Sequence, residues 1–204
     1  MMTRDDVEVF ETTTVWKGFF RIDKIRLRHR LFSGGWGQPV IREIFERGHA
    51  AALLPYDPER DEVVLIEQFR AAAMTGGAQP WQIEIVAGII EDGETAEDVA
   101  RREVIEEAGC TVGDIIPALD VFTSPGGSSE RIAIFLGRVN TQGVGGIHGL
   151  PEEGEDIRVF TETLDAALAR IANGGITNLI TVAALQWLAL NREDIRRRWL
   201  CGDA

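Results

Sequence analysis

Between Gly88 and Cys110 the chain reads GIIEDGETAEDVARREVIEEAGC, and this stretch constrains the fold more than any other. It is entered from WQIEIVAGII, a β-rich apolar run that reads as a strand. Thr95 can cap a helix with Asp98 three residues later, and Gly109 supplies a stop, so a strand-loop-helix frame is predicted. Ala96, Val99, Ala100, Val104 and Ala108 give that helix an apolar surface to bury. Glu106 and Glu107 lie three and four residues after Glu103, so all three carboxylates project toward one side. Like charges at that spacing repel unless cations or arginine sit among them. Carboxylate oxygens are the hard ligands that Mg²⁺ and Mn²⁺ prefer, which makes the frame a candidate site for a divalent metal and a diphosphate. The competing reading is a solvated acidic helix face.

Composition narrows the partners. At 204 residues the chain can bury a substantial core as one or two domains. A net charge of -12 opposes nonspecific binding to nucleic acid or to an anionic membrane. An anionic substrate would therefore need local help from metal ions and a few arginines. The start MMTRDDVEVF lacks the sections of a signal peptide, and no segment approaches the ~20 apolar residues of a membrane span, so a cytoplasmic location is expected. Cys110 and Cys201 have no metal-ligand spacing, and Cys110 closes the apolar pattern of the helix. His29, His49 and His148 are dispersed and form no HExxH pattern.

Along the chain, VFETTTVWKGFF and IDKIRLRHRLF read as a small antiparallel element followed by an SGGWG break. AAALLPY and EVVLIEQF read as strands around a DPERD turn, and DIIPALDVF and RIAIFLGRV as strands around a loop containing SPGGSSE. Gly143 to Glu155 is glycine-rich and acidic and reads as a mobile loop ahead of the short strand IRVF. LDAALARIANGG and ITNLITVAALQWLALNREDIRRRWL have helical spacing. Leu179, Val182, Leu185, Trp187 and Leu188 on the second are expected in the core or at a subunit contact.

The fixed positions of the first stretch run glycine, five residues, Glu94, seven residues, Arg102-Glu103, an aliphatic residue, one residue, Glu106-Glu107, one residue, Gly109. This resembles the Nudix box of hydrolases that cleave nucleoside diphosphates linked to another moiety; only Cys110, where a larger aliphatic residue is usual, departs from it. Pro125, sixteen residues after Gly109, resembles the marker of the ADP-ribose pyrophosphatase branch, as do GFF at 18 to 20, REIFERGHA at 42 to 50, LIEQFR at 65 to 70 and GIHGLPEEGEDIRV at 146 to 159. By composition alone Pro125 in PGG is a plain turn former.

The resemblance implies an α/β fold, the Nudix α/β/α sandwich with a mixed sheet. It adds a small N-terminal antiparallel β element at 1–48, for dimerisation and substrate contact, to a catalytic domain at 49–204. It implies metal ligation by Glu103, Glu107, the Ala87 carbonyl and Glu155, with two catalytic glutamates beside them: Glu106, a shared ligand or a support behind the ligands, and Glu153, the general base. Helix geometry points Arg102 away from its neighbouring glutamates, and the resemblance implies that it pairs with Glu94 and holds the loop to the helix. Arg42 and Arg70 match substrate-contacting arginines, Ser124 and Glu130 would meet the terminal ribose, and Phe19 or Phe20 would stack on adenine. The implied reaction is Mg²⁺-dependent hydrolysis of ADP-ribose by a homodimer, with Mn²⁺ able to substitute. The alternatives are cleavage of another nucleoside diphosphate sugar such as GDP-mannose, or binding of ADP-ribose without cleavage.

Overall fold

The alternation of side chains along one strand organises the core. In the computed structural model, which describes residues 1–201, β4 (Ala50–Asp57) is buried along its whole length. Ala50, Ala52, Leu54 and Tyr56 enter one apolar cluster and Ala51 and Leu53 another, so the strand is covered on both faces. β5 (Glu62–Phe69) divides likewise, with Val63 and Leu65 in the first cluster and Val64 and Ile66 in the second. α2 (Ala96–Ala108) closes the second face through Val99, Ala100, Val104 and Ala108. α3 (Leu164–Ala172) and α4 (Leu179–Cys201) close the first through Leu164, Ala167, Leu185, Leu188, Ile195 and Trp199. These are the three layers of an α/β/α sandwich. Leu185 and Leu188 are core residues as expected, whereas Leu179 lies exposed on the first turn of α4.

The sheet is mixed. Its order is β10 (Gly146–His148), β11 (Ile157–Thr163), β5, β4, β9 (Arg131–Arg138) and β8 (Ile115–Phe122), with β4 and β9 parallel. WQIEIVAGII, expected as one strand, is two: β6 (Trp81–Glu84) pairs with β5, and β7 (Val86–Ile89) pairs with β4. The break falls at Ile85, whose N–H leaves the ladder and donates to Thr181 Oγ1 at 3.0 Å. β4 and β5 pair with each other only at Tyr56–Val63 and Asp57–Glu62, and the inserted strands occupy the remaining edges. The change of partner delivers the chain to the start of the acidic helix.

A separate three-stranded antiparallel sheet is formed by β1 (Val7–Lys17), β2 (Arg21–His29) and β3 (Val40–Glu46). Backbone contacts divide the chain into Met1–His49 with Phe122–Arg131, and Ala50–Val121 with the chain from Ile132 onward. Within the N-terminal unit, Phe45 N–H donates to the Gly127 carbonyl at 2.8 Å and Ser129 Oγ to Glu46 at 2.6 Å, so the segment following Pro125 lies alongside the end of β3. The segment from Gly143 to Glu155 is more ordered than a mobile loop: it contains β10 and a 3-10 turn at Pro151–Glu153. Positive φ angles at Gly149 and Gly154 permit the reversals on either side of that turn. A short α1 (Ala71–Thr75), too brief to show periodicity in sequence, follows β5. No described helix is long and apolar enough to cross a membrane.

Candidate active site

β7 and α2 meet where Gly88 faces Glu103. A Cβ on Gly88 would overlap the Glu103 side chain, so the glycine allows a carboxylate to lie directly against the strand. The helix begins with a reciprocal capping box, Asp98 N–H donating to Thr95 Oγ1 at 3.2 Å and Thr95 N–H to Asp98 Oδ2 at 3.3 Å. It ends at Gly109, which is left-handed with φ 61° and donates to the last carbonyls. Both signals were legible in the sequence.

The carboxylates have unequal environments. Glu107 is 3 % exposed; its Oε2 accepts from the Ala87 N–H at 3.0 Å and its Oε1 from Gln68 Nε2 at 3.4 Å. Burial, reinforced by the charges of Glu103 and Glu155, pushes its carboxyl up to about 8, against the Ala87 N–H and Arg70. Burial also raises Glu103, with Glu106 and Glu155 adding to it and Arg102 opposing it. Three carboxyl groups thus share one partly desolvated neighbourhood.

Arg102 departs from its expected orientation. Rather than turning away from the helix glutamates, its guanidinium bridges Glu94 at 3.3 Å, Glu103 at 2.8 Å and Glu106 at 3.0 Å. A long stem can bend back over its own turn, and three adjacent carboxylates supply the attraction. The Glu94 pairing occurs as expected, and it holds the Glu94 carboxyl below its ordinary range.

The segment carrying Glu153 and Glu155 docks on α2. Gly149 N–H donates to the Glu106 carbonyl at 3.2 Å, and the His148 ring covers Gly109 so closely that a Cβ there would strike it. Glu155 accepts from the Leu150 N–H at 3.0 Å, and its charge reaches Glu103, Glu107 and Arg70. Glu153 is exposed at the end of the 3-10 turn. Among the described residues no three His, Cys, Asp or Glu side chains converge as a ready metal-holding group. Glu103 is turned to Arg102 and Glu155 to Leu150. The donor chemistry nevertheless fits a hard divalent cation: the acidic side chains are carboxylates, and Glu103 and Glu155 set negative charge around the buried Glu107.

Within the N-terminal unit, Phe19 is 88 % exposed at a hairpin tip, while Phe20 stands edge-on to Phe45 with ring centroids 5.3 Å apart. Arg42 is exposed on β3 and donates to the Ile41 carbonyl at 2.8 Å. Ser124 is exposed, its carbonyl accepting from Gly127 and Ser128. Glu130 is buried and already engaged, accepting from Thr123 at 2.9 Å and lying 3.0 Å from Arg47. The remaining arginine, Arg70, grips Glu84 with Nε and Nη2 at 3.0 and 2.7 Å.

The NUDIX domain profile matches residues 46–177 of the chain. The chain belongs to the Nudix family. It is 52 % identical over 196 residues to an ADP-ribose pyrophosphatase of Escherichia coli K12, covering 96 % of this chain and 94 % of that one. An ADP-ribose pyrophosphatase of Haemophilus influenzae is 42 % identical over 200 residues, 97 % of this chain and 92 % of that one. A GDP-mannose pyrophosphatase of Citrobacter koseri is 38 % identical over 148 residues, 72 % of this chain and 76 % of that one. A crystal structure of an ADP compounds hydrolase shares the fold, with a TM-score of 0.74 at 17 % identity over 96 % of this chain and the whole of that one.

Glu84, Gln68 and Asn178 lie outside the Nudix box, and no sequence motif assigned them a role. Glu84 accepts from Asn178 Nδ2 at 2.9 Å and from Gln68 Nε2 at 3.4 Å, so β5, β6 and the approach to α4 meet at a carboxylate outside the box. A buried charged residue in an apolar strand, here Glu84 in WQIEIV, is the signal that could have found it. A cavity of about 410 Å³ lies elsewhere, lined by Asp57, Glu59, Asp114, Arg138 and Asn140 among others. Its Asp57 is engaged by the Thr141 N–H at 2.9 Å and by Arg60 at 3.2 Å, as a fold-stabilising carboxylate.

Proposed function

We propose that this Nudix hydrolase cleaves the diphosphate of ADP-ribose, taking one water and releasing AMP and ribose 5-phosphate. The observation that carries the reading is the convergence of acidic side chains on β7, with Glu107 accepting from the Ala87 N–H and Glu103 lying against Gly88, in a chain related over nearly its full length to ADP-ribose pyrophosphatases. Glu103, Glu107, Glu155 and the Ala87 carbonyl would hold Mg²⁺, or Mn²⁺ in its place, with Glu106 a shared ligand. Bound there, the cation supplies Lewis acidity toward the diphosphate and makes water a better nucleophile.

Arg70 contributes positive charge toward the substrate diphosphate in a molecule of net charge -12. Glu153, exposed on its turn, accepts the proton of the attacking water as the oxygen joins phosphorus. Arg102 holds Glu94, Glu103 and Glu106 in place and keeps the box loop against the helix. Phe19, Phe20, Arg42, Ser124 and Glu130 are the proposed substrate contacts of the N-terminal unit, with an aromatic ring stacking on adenine. We also propose a cytoplasmic homodimer joined through the N-terminal element. The exposed Val9, Val15 and Trp16 of β1 support that interface.

A second reading is cleavage of GDP-mannose, favoured by relatives of that name, although they match a smaller share of the chain. A substrate panel with product identification separates the two. Faster turnover of ADP-ribose, yielding AMP, supports the first; faster turnover of GDP-mannose, yielding GMP, replaces it with the second.

A further inference from the structure

Glu84 lies at the end of β6 with 5 % of its surface exposed, outside the box and the one buried residue of a strand whose other side chains are exposed or half-buried. Its carboxylate takes Nε and Nη2 of Arg70, Nδ2 of Asn178 and Nε2 of Gln68. The Gln68 amide also donates to Glu107 Oε1 at 3.4 Å. Burying a carboxylate here is costly, and an apolar side chain of similar volume would serve the strand at least as well. The arrangement does something more specific than stabilise β6. Arg70 begins beyond the end of β5, is partly exposed, and has a long flexible stem that alone would leave its guanidinium free to wander. Glu84 engages the Nε and Nη2 edge, and among the described residues nothing accepts from Nη1, whose two N–H groups can meet an anionic oxygen.

We propose that Glu84 is a positioning residue for substrate binding: it holds Arg70 in one orientation toward the diphosphate and, through Gln68, ties that arginine to Glu107. This inference rests on the reading of Arg70 as a substrate contact. The role is geometric, because the Glu84 charge by itself repels an anionic substrate. The two effects therefore predict opposite results. If charge dominates, removing it tightens binding; if orientation dominates, removing it weakens binding.

The test is a double-mutant cycle of wild type, E84Q, R70A and E84Q/R70A, followed by steady-state hydrolysis of ADP-ribose with Mg²⁺. Loss of one charge-assisted orienting contact should raise KM about tenfold in E84Q, with kcat changed less than about threefold. The double variant should be no worse than R70A alone, since Glu84 acts through Arg70. An unchanged or lower KM in E84Q, a fall confined to kcat, or multiplicative losses in the double variant would overturn the proposal. Should E84Q fail to fold, E84D keeps the charge but withdraws it from the guanidinium by one methylene; it carries the same prediction, and a wild-type KM there is equally decisive. If wild type cleaves a different nucleoside diphosphate sugar, the functional reading fails on its own, and the same cycle is run on that substrate.

Discussion

Replacing Gly88 with alanine separates the chemistry of the site from the stability of the fold. The added methyl group would lie on the Glu103 side chain, 2.6 Å from its Cγ and nearer still to its carboxyl group. The overlap reaches the stem, so the whole side chain must turn rather than only its tip. Gly88 is not among the glycines with positive φ, so its backbone accepts a Cβ. A glycine-to-alanine change inside a strand is favourable by roughly 0.5–1 kcal/mol. Against that stands the partly exposed Arg102–Glu103 pair at 2.8 Å, a contact class worth ~0–1 kcal/mol. The two nearly offset, and the melting temperature should move by no more than about 2–4 °C. Activity should respond differently. Displacing a ligand or its support typically costs about 10–100-fold in metal affinity or rate. The assay is a thermal melt beside a Mg²⁺ titration of ADP-ribose hydrolysis. The expected result is a near-wild-type melt, a higher Mg²⁺ requirement and a rate lower by about 100-fold at ordinary Mg²⁺. A folded G88A protein with wild-type rate and Mg²⁺ dependence would refute the placement of Glu103 in the metal site.

Glu153→Gln should lower kcat by about 10²–10⁴ with little change in KM, and weakened binding with intact turnover would assign that residue to affinity instead. Asp57→Asn should destabilise the protein at pH 7 by about 1–3 kcal/mol, measured by thermal or urea unfolding. Burial alone would raise the Asp57 carboxyl, but N–H groups from Thr141, Arg60 and Glu59 hold it below its ordinary value. Its contribution is thus present above the unfolded carboxylate pKa of about 4 and is lost as pH falls through the lower folded value. A stability gap between wild type and D57N that does not shrink below pH 4 would contradict that sign. Of the two thiols, exposed Cys201 should react with a disulfide reagent in native protein, whereas buried Cys110, its thiol pushed up to about 11, should react only on unfolding. Rapid reaction of both native thiols would show that the box helix is not closed over its core.

The sandwich was legible because its strands and helices bury faces with different periods. β4 and β5 are continuous apolar runs, α3 and α4 have helical spacing, and Thr95 and Gly109 mark the ends of α2 in the sequence. The division of WQIEIVAGII was not legible, because the split depends on Thr181, far away on α4, receiving the Ile85 N–H. The box carboxylates could be selected by spacing, but the direction of Arg102 could not. Helical geometry gives the direction of its Cβ, and the stem then bends toward whichever carboxylates surround it. Glu84 was missed for a related reason: its partners Gln68, Arg70 and Asn178 come from β5, the residue following it and the approach to α4. Likewise, the glycines around Gly149 suggested motion, whereas their backbone freedom permits a docked turn.

The most direct test of the central claim is ADP-ribose hydrolysis by the full chain with and without Mg²⁺, with both products identified. Release of AMP and ribose 5-phosphate in equal amounts, dependent on Mg²⁺ and abolished by chelation, is the predicted result. Tight ADP-ribose binding without Mg²⁺-dependent turnover would contradict it and make the chain a binding protein on a Nudix fold.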